Sequence, residues 1–216
     1  MRTLFLALAG LLFLLAGAPA AADPRPVTIL VSIDGFRADY LDRGVTPTLS
    51  ALAADGVRAA MRPSFPSKTF PNHYALVTGL RPDRNGIVDN NMRDPAIPGV
   101  TFKMSNLDAV ADRRWWDEAE PVWVTAEAAG VKTGTMFWPG SEAPIHGRRP
   151  SYWIHFDAGM RPEARVDQVL AWLDLPDGQR PGFVCLYFDA VDTAGHYYGP
   201  TAPETNAAIT ATDAAI

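Results

Sequence analysis

The chain has 216 residues, of which 24 are acidic and 19 are basic, so its formal net charge is −5 at neutral pH. This acidic balance argues against a general nucleic-acid binder, which needs a basic face to neutralise phosphates. Apolar residues make up 48% and charged residues 20% of the sequence, a composition typical of a globular chain and not of a disordered one.

The N-terminal residues have the pattern of a secretory signal. Arg2 is followed by an apolar run over residues 4–15 and by small residues over 16–22 that fit an A-x-A cleavage pattern. The apolar run is too short to span a membrane. We therefore predict a cleaved signal peptide at residues 1–22, with residues 23–216 periplasmic or secreted and without a stable membrane anchor. An uncleaved anchor is the alternative, and it would need a longer apolar run.

Strand and helix patterns alternate along the rest of the chain. Buried strands are predicted at residues 27–33 and 183–188, a strand at 131–138 and a short returning strand at 57–61. Helices are predicted from their proline, threonine and glycine boundaries at residues 47–55, 69–78, 121–129, 162–173 and 202–216. The first strand has the continuous apolar pattern of a strand buried on both faces. This order predicts an α/β fold with a doubly wound, largely parallel sheet and helices on both faces.

Three further features complete the prediction of the fold. Residues 80–118 and 139–160 have no sustained period, so we expect long loops or insertions near a site. Cys185 is the only cysteine in the sequence, which excludes an intrachain disulfide, and its apolar neighbours indicate a packing residue. The last predicted helix has no stop signal, so we expect the chain to be cut short there.

Four side chains with metal-binding chemistry are expected at one edge of the sheet. In doubly wound sheets, ligands collect beyond the carboxyl ends of the strands. Asp34 follows the first strand, Thr69 opens a helix, and Asp192 and His196 follow the last strand. Each residue alone is a weak signal, because such side chains more often cap helices or form turns. Spacing therefore does not decide between metal ligands and local hydrogen bonding.

Ordered sequence blocks resemble the nucleotide pyrophosphatase/phosphodiesterase family. They are SIDGFR at 32–37, FPSKTFPNHY at 65–74 with VTGL at 77–80, NGIVDNNM at 85–92, WPGSE at 138–142 and DTAGHYYGP at 192–200. The resemblance covers nearly all of the chain after the signal. It implies an alkaline-phosphatase-like core and a bacterial secreted hydrolase of the alkaline phosphatase superfamily.

The resemblance also implies two zinc ions and a threonine nucleophile. By motif match, Asp34 and Thr69 would hold one Zn²⁺, and Asp192 and His196 would hold the other. Zinc coordination would make the Thr69 hydroxyl a nucleophile toward phosphorus, and water would then hydrolyse the intermediate. Asn90 matches an asparagine that hydrogen-bonds a non-bridging phosphate oxygen, and the backbone N–H of the residue after Thr69 is expected to add a second donor.

The substrate implied by the resemblance is a small nucleotide or phosphodiester, with nucleoside 5′-monophosphates as products. Phe70 and Tyr152 would sandwich the nucleobase, and Tyr187 would line the same pocket. No specific nucleic-acid binding is expected. We expect His73 to pack or form hydrogen bonds rather than to bind metal, and His146 and His155 to be solvated or structural.

The sequence departs from the family pattern in length. Family members continue beyond the resembling region with an Asp-His pair that completes the first zinc site and a His that completes the second. Residues 23–216 are therefore interpreted as the N-terminal part of a phosphodiesterase catalytic domain. With two ligands for each zinc, where three protein ligands are usual, we expect a longer parent to be active and this chain alone to be inactive. Alternatives are a non-catalytic fragment that binds metal or phosphate weakly, and a phosphodiesterase acting on lipid or choline head groups.

Overall fold

The computed structural model describes residues 26–216, and the predicted signal peptide lies outside them. Within residues 26–216, six strands form two sheets: β1 (Thr28–Ile33), β2 (Asn91–Met92), β3 (Phe102–Lys103), β4 (Thr133–Met136), β5 (Tyr152–Ile154) and β6 (Phe183–Phe188). The main sheet has the order β1-β6-β4-β5, and all its pairings are parallel. The second sheet is the short antiparallel pair β2-β3.

Helices flank the main sheet. They are α1 (Pro47–Asp55), α2 (Thr69–Thr78), α3 (Pro82–Asn85), α4 (Leu107–Val110), α5 (Val122–Ala128), α6 (Pro162–Leu173), α7 (Ala190–Tyr198) and α8 (Pro203–Ala215). Short 3-10 turns lie at Ala38–Arg43, Arg113–Trp115 and Ile145–Gly147. The α/β prediction is confirmed. Within residues 26–216, no helix has both the length and the apolar character needed to cross a membrane.

The register of β1 and β6 determines where the polar residues meet. The two strands pair from Thr28 with Phe183 to Ile33 with Phe188, so they end at the same level. The backbone N–H of Asp34 continues the ladder and donates to the Phe188 carbonyl oxygen at 2.8 Å. The segments that follow β1 and β6 therefore begin side by side at the carboxyl edge of the sheet.

The core packs around β4 and β6. Its largest fully buried side chains are aromatic, with Trp116, Trp123 and Trp138 all inside. Cys185 is buried on β6, as expected for a packing residue, and burial raises the pKa of its thiol. The thiol is therefore protonated and has no nucleophilic role at neutral pH.

Two strand predictions were wrong. The strand expected to be buried on both faces is β1, and in the described part of the chain it is an edge strand paired with β6 alone. Its side chains Ile29 and Val31 are 45% and 38% exposed. Residues 57–61, predicted as a returning strand, have no strand partner in the structure, and Val57 and Met61 are exposed.

Candidate active site

Asp34 and Asp192 are brought together by a tight backbone contact. Gly35, directly after Asp34, has φ +70°, and a Cβ placed on it would lie 2.7 Å from the Cα atom of Asp192. Glycine is the residue that permits both this conformation and this approach. The turn after β1 therefore packs directly on the first turn of α7.

The hydroxyl of Thr69 meets Asp34 at the N-terminus of α2. Lys68 is the N-cap residue and Thr69 begins the helix, as the sequence predicted. The Thr69 hydroxyl donates to Asp34 Oδ2 at 2.9 Å. The positive end of the helix dipole at this N-terminus favours negative charge near the Thr69 oxygen.

Tyr187 reaches the same carboxylate oxygen from β6. Its hydroxyl donates to Asp34 Oδ2 at 2.9 Å, and the residue is buried. Burial and the nearby Asp34 charge both raise the pKa of Tyr187. The phenol therefore stays protonated and holds the Asp34 carboxylate in place, and the lining of a nucleobase pocket by Tyr187 stays a prediction.

Asn90 is fixed by a single backbone bond. Its Oδ1 accepts from the backbone N–H of Phe70 at 2.9 Å, so Asn90 lies beside the residue that follows Thr69. Because the oxygen takes this bond, the amide NH₂ group is the part of the side chain that can donate to an anion. The Phe70 N–H, for which a contact with phosphate is predicted, donates to Asn90 in this structure.

Asp192 and His196 lie one turn apart on α7. Their side chains approach at 3.4 Å between His196 Nε2 and Asp192 Oδ2, and the imidazole is largely exposed. Burial and repulsion from Asp34 raise the pKa of Asp192, while His196 acts in the opposite direction. The structure thus brings Asp192 toward Asp34 and leaves His196 at the rim.

His73 supports the site by contacts from both of its ring nitrogens. The sequence predicted only packing or hydrogen bonding for this residue. Its Nε2 lies 2.8 Å from Ser32 Oγ on β1, and its Nδ1 lies 2.7 Å from the carbonyl oxygen of Thr69. Burial lowers its pKa, so the ring is neutral. His73 therefore ties Ser32, two residues before Asp34, to the first turn of α2.

The structure does not bring Tyr152 to Phe70. Phe70 packs on Phe102 and Trp116, with ring centroids 5.4 and 5.9 Å away. Tyr152 is the first residue of β5, stacks on Trp172, and donates from its hydroxyl to the carbonyl oxygen of Gln179 in the loop that precedes β6. It therefore lies toward the amino edge of the sheet, because β5 is parallel to its neighbours.

Phe156 is the aromatic residue that sequence reasoning missed. It follows β5 at the carboxyl edge, is 38% exposed, and packs on Phe137 and Tyr187 with centroids 5.3 and 6.3 Å away. Its contact with Tyr187 links it to the Asp34 carboxylate. The signal that could have found it is position, since it comes directly after a strand at the edge where ligands collect.

The oxygen and nitrogen donors suit zinc in type but not in number. Carboxylate oxygens and an imidazole nitrogen are common Zn²⁺ ligands, and catalytic sites usually have three protein ligands for each ion. Asp34 with Thr69, and Asp192 with His196, provide two side chains each. In the part of the chain that the structure describes, no group of three or more His, Cys, Asp or Glu side chains is placed to hold a metal ion.

The fold and the site define a parallel α/β protein with a hydroxyl-carboxylate pair at the carboxyl edge of its sheet. The model of the family described as type I phosphodiesterase/nucleotide pyrophosphatase matches residues 28–216. This match covers most of the chain, so the chain belongs to that family.

The individual relatives that match this chain are named as pyrophosphatase/phosphodiesterase proteins. The chain is 47% identical over 195 residues to an uncharacterised pyrophosphatase/phosphodiesterase of Schizosaccharomyces pombe, covering 89% of this chain and 40% of that protein. It is 42% identical over 196 residues to human ectonucleotide pyrophosphatase/phosphodiesterase family member 1, covering 89% of this chain and 21% of that protein.

The structure is also similar to that of murine ectonucleotide pyrophosphatase/phosphodiesterase 5. The TM-score is 0.81 at 34% sequence identity, and the match covers 88% of this chain and 50% of the murine chain. An inactive threonine-to-alanine variant of the murine protein, solved in complex with AMP, matches equally well. The alkaline-phosphatase-like core predicted from the sequence is confirmed, and the chain spans half or less of these relatives' length.

Proposed function

We propose that this chain carries the nucleophile and four of the metal ligands of a zinc-dependent phosphodiesterase/nucleotide pyrophosphatase, with Thr69 as the nucleophile. The observation that carries the proposal is the 2.9 Å contact between the Thr69 hydroxyl and Asp34 at the start of α2. A threonine hydroxyl is a weak nucleophile until its oxygen is activated. When bound, zinc ions held by Asp34 with Thr69 and by Asp192 with His196 would supply that activation and the charge to offset a developing oxyanion.

The residues of the chain have defined roles in the proposed reaction. Asp34 orients the Thr69 hydroxyl, and the first turn of α2 stabilises negative charge on its oxygen. The Thr69 oxygen forms a bond to phosphorus as the bond to the leaving oxygen breaks. Water then forms a bond to the same phosphorus as its bond to the Thr69 oxygen breaks, which regenerates the Thr69 hydroxyl and releases a nucleoside 5′-monophosphate. Asn90 donates its NH₂ group to a non-bridging oxygen, and Tyr187 keeps Asp34 in position.

We infer that the nucleobase lies between Phe70 and Phe156 rather than between Phe70 and Tyr152. Phe156 is partly exposed at the carboxyl edge, whereas Tyr152 is occupied by Trp172 and Gln179. Aromatic rings bind any base through stacking. The AMP complex of the murine relative supports a nucleotide as the substrate class, ahead of a lipid or choline phosphodiester.

Small-molecule nucleotides and phosphodiesters are the partners that we propose, with no specific nucleic-acid binding. Export to the periplasm or to the exterior follows from the signal pattern at residues 1–22. The names of several relatives, ectonucleotide enzymes and venom phosphodiesterases, support an extracytoplasmic setting.

A test of Thr69 needs a protein with a complete ligand set, because each proposed zinc has two ligands here. We propose a chimera in which residues 28–216 replace the matching half of the murine relative, whose solved structure defines the junctions. The assay is hydrolysis of p-nitrophenyl thymidine 5′-monophosphate with added Zn²⁺, and hydrolysis of p-nitrophenyl phosphate in parallel.

We expect the chimera to hydrolyse the diester in preference to the monoester, and Thr69→Ala to abolish this activity. Thr210→Ala is the matched control, because Thr210 is exposed on α8 and donates to the Asn206 carbonyl oxygen within that helix. Diester hydrolysis that survives Thr69→Ala would refute the proposed nucleophile. The 216-residue chain alone is expected to show no turnover.

A further inference from the structure

Glu142 is a buried carboxylate beside the candidate site that has no role in the reaction described above. It ends the block at 138–142 and is 5% exposed. Its Oε1 accepts from the backbone N–H of Phe156 at 3.0 Å, and its Oε2 lies 2.7 Å from His155 Nδ1. A buried carboxylate with a donor on each oxygen is held in one position. It fixes the positions of its two donors in turn.

The two donors belong to the segment that follows β5. The Phe156 ring packs on Tyr187, whose hydroxyl bonds to Asp34, so Phe156 lies next to the reacting groups. Its amide has left the β4–β5 ladder, which ends at Ile154. The bond to Glu142 therefore replaces a strand partner in fixing the backbone that carries the ring.

The block that ends at Glu142 also contacts residues on the Phe70 side of the site. The Trp138 indole N–H donates to the carbonyl oxygen of His73 on α2 at 3.1 Å. Gly140 has φ +91°, and a Cβ there would lie 2.8 Å from the ring of Trp116, against which Phe70 packs. One short segment therefore contacts the supports of both Phe70 and Phe156.

We propose that Glu142 is a positioning residue for the substrate's nucleobase, acting through the Phe156 backbone. By fixing the Phe156 amide, it sets the distance between the Phe156 ring and the Phe70 side of the site. His155 shares the carboxylate but stays largely exposed, and it serves as the second donor that satisfies Oε2. This inference rests on the proposed function, since it requires that the chain binds a nucleotide.

The test compares a ligand that has a base with one that lacks it. Dissociation constants for AMP and for ribose 5-phosphate are measured by titration calorimetry on the full chain with Zn²⁺. We expect wild type to bind AMP more tightly than ribose 5-phosphate. In Glu142→Ala, the ratio of the two dissociation constants should fall about tenfold, the scale of one base–aromatic stack. Binding of ribose 5-phosphate should change little.

Conservative and matched variants separate positioning from general damage. Glu142→Gln should restore the preference, because its amide oxygen still accepts from the Phe156 N–H. His155→Ala should leave the preference intact, because the Phe156 bond remains. In a Phe156→Ala background, Glu142→Ala should have no further effect on the preference, because the two changes act through one ring. If Glu142→Ala does not fold, Glu142→Asp provides a carboxylate shortened by one methylene and should lower the preference in the same direction.

The outcomes distinguish this inference from the proposed function. An AMP preference that survives in Glu142→Ala, or in the folded Glu142→Asp protein, overturns the positioning role alone. A further loss in the Phe156→Ala background overturns it as well. A wild-type chain that binds AMP no better than ribose 5-phosphate contradicts the proposed nucleobase site and, with it, the role of Glu142. Survival of diester hydrolysis in the Thr69→Ala chimera contradicts the proposed nucleophile and leaves the Glu142 test standing.

Discussion

Gly35, which follows Asp34, packs so closely on the backbone of α7 that there is no room for a side chain. A Cβ at this position would lie 2.7 Å from the Cα atom of Asp192, and neither backbone can yield without moving a site residue. We expect Gly35→Ala to destabilise the fold by about 1–3 kcal/mol through left-handed strain and this contact. Urea unfolding at equilibrium measures the change.

Gly44 offers the matched control for Gly35. It has φ +75°, close to the +70° of Gly35, but a Cβ there would meet nothing within 4 Å. Gly44→Ala therefore carries the backbone strain without the contact. If the two variants lose the same stability, then a Cβ next to Asp192 adds no cost beyond backbone strain. That result would contradict the close packing of Gly35 on Asp192.

His146 should make stability depend on pH. Its pKa is raised, first by the hydrogen bond to the Asp117 carbonyl oxygen and also by Glu120. A pKa that is higher in the folded state gives stability that is fully present below the unfolded pKa and is lost as pH rises through the folded pKa.

His146 has φ +50°, so the variant for this test is His146→Asn, because asparagine tolerates left-handed backbone. We expect wild type to exceed His146→Asn in unfolding free energy by more at about pH 6 than at about pH 8. A difference that is the same at both pH values would rule out a proton-linked contribution from His146.

At the residue scale, the sequence predicted where Thr69 and Asp34 lie better than it predicted the residues that support them. Thr69 and Asp34 could be anticipated because each follows a recognisable boundary, a helix start or a strand end. The roles of Tyr187 and His73 could not, because both depend on contacts across more than 40 positions of sequence. Tyr152 was matched to the second aromatic residue by the family resemblance, and the structure places it at the start of β5, toward the other edge of the sheet.

Helix α1 shows how an element can be predicted correctly and stabilised by a residue that its own sequence does not contain. Pro47 starts the helix as expected, but Thr46 makes no side-chain cap bond. Asp213 on α8 instead accepts from the backbone N–H groups of Thr48 and Leu49 at 3.0 and 2.8 Å. Local patterns do not reveal a cap that lies far away in sequence.

Asp213→Ala should therefore destabilise the protein by about 1–2 kcal/mol, the range of a lost helix cap. The carboxylate is 1% exposed, so its loss leaves two N–H groups without their acceptor. Asp55→Ala is the control, since Asp55 is exposed at the end of the same helix. Thermal unfolding of both variants measures the effect, and similar melting temperatures would refute the capping role.

Strand predictions failed where burial was inferred from composition. Residues 57–61 have an apolar pattern but no partner strand in the structure, so their pattern reports neither pairing nor burial. By contrast, β6 and α6 were predicted with the bounds that the structure shows. Their neighbours bury them as the patterns indicated, with β6 inside the sheet and α6 packed on β4 and β6.

Across the whole molecule, the parallel register of β1 and β6 is what turns separate motifs into one site. Both strands end level, the turn after β1 packs on α7, and α2 meets that turn through Thr69. The order of strands was not predicted, because pairing joins segments that are about 150 residues apart and leaves no local trace in either strand. The α/β class was predictable because strands and helices alternate.

The central claim is that this carboxyl edge holds zinc and a nucleotide phosphate at Thr69. The most direct measurement is anomalous X-ray diffraction from crystals of the chain grown with Zn²⁺ and AMP. We expect zinc in contact with Asp34 and Thr69 and with Asp192 and His196, and the phosphate beside Asn90. Zinc bound at other side chains, such as the His155-Glu142 or His146-Glu120 pairs, with these four residues empty and the phosphate distant from Thr69, would contradict the claim.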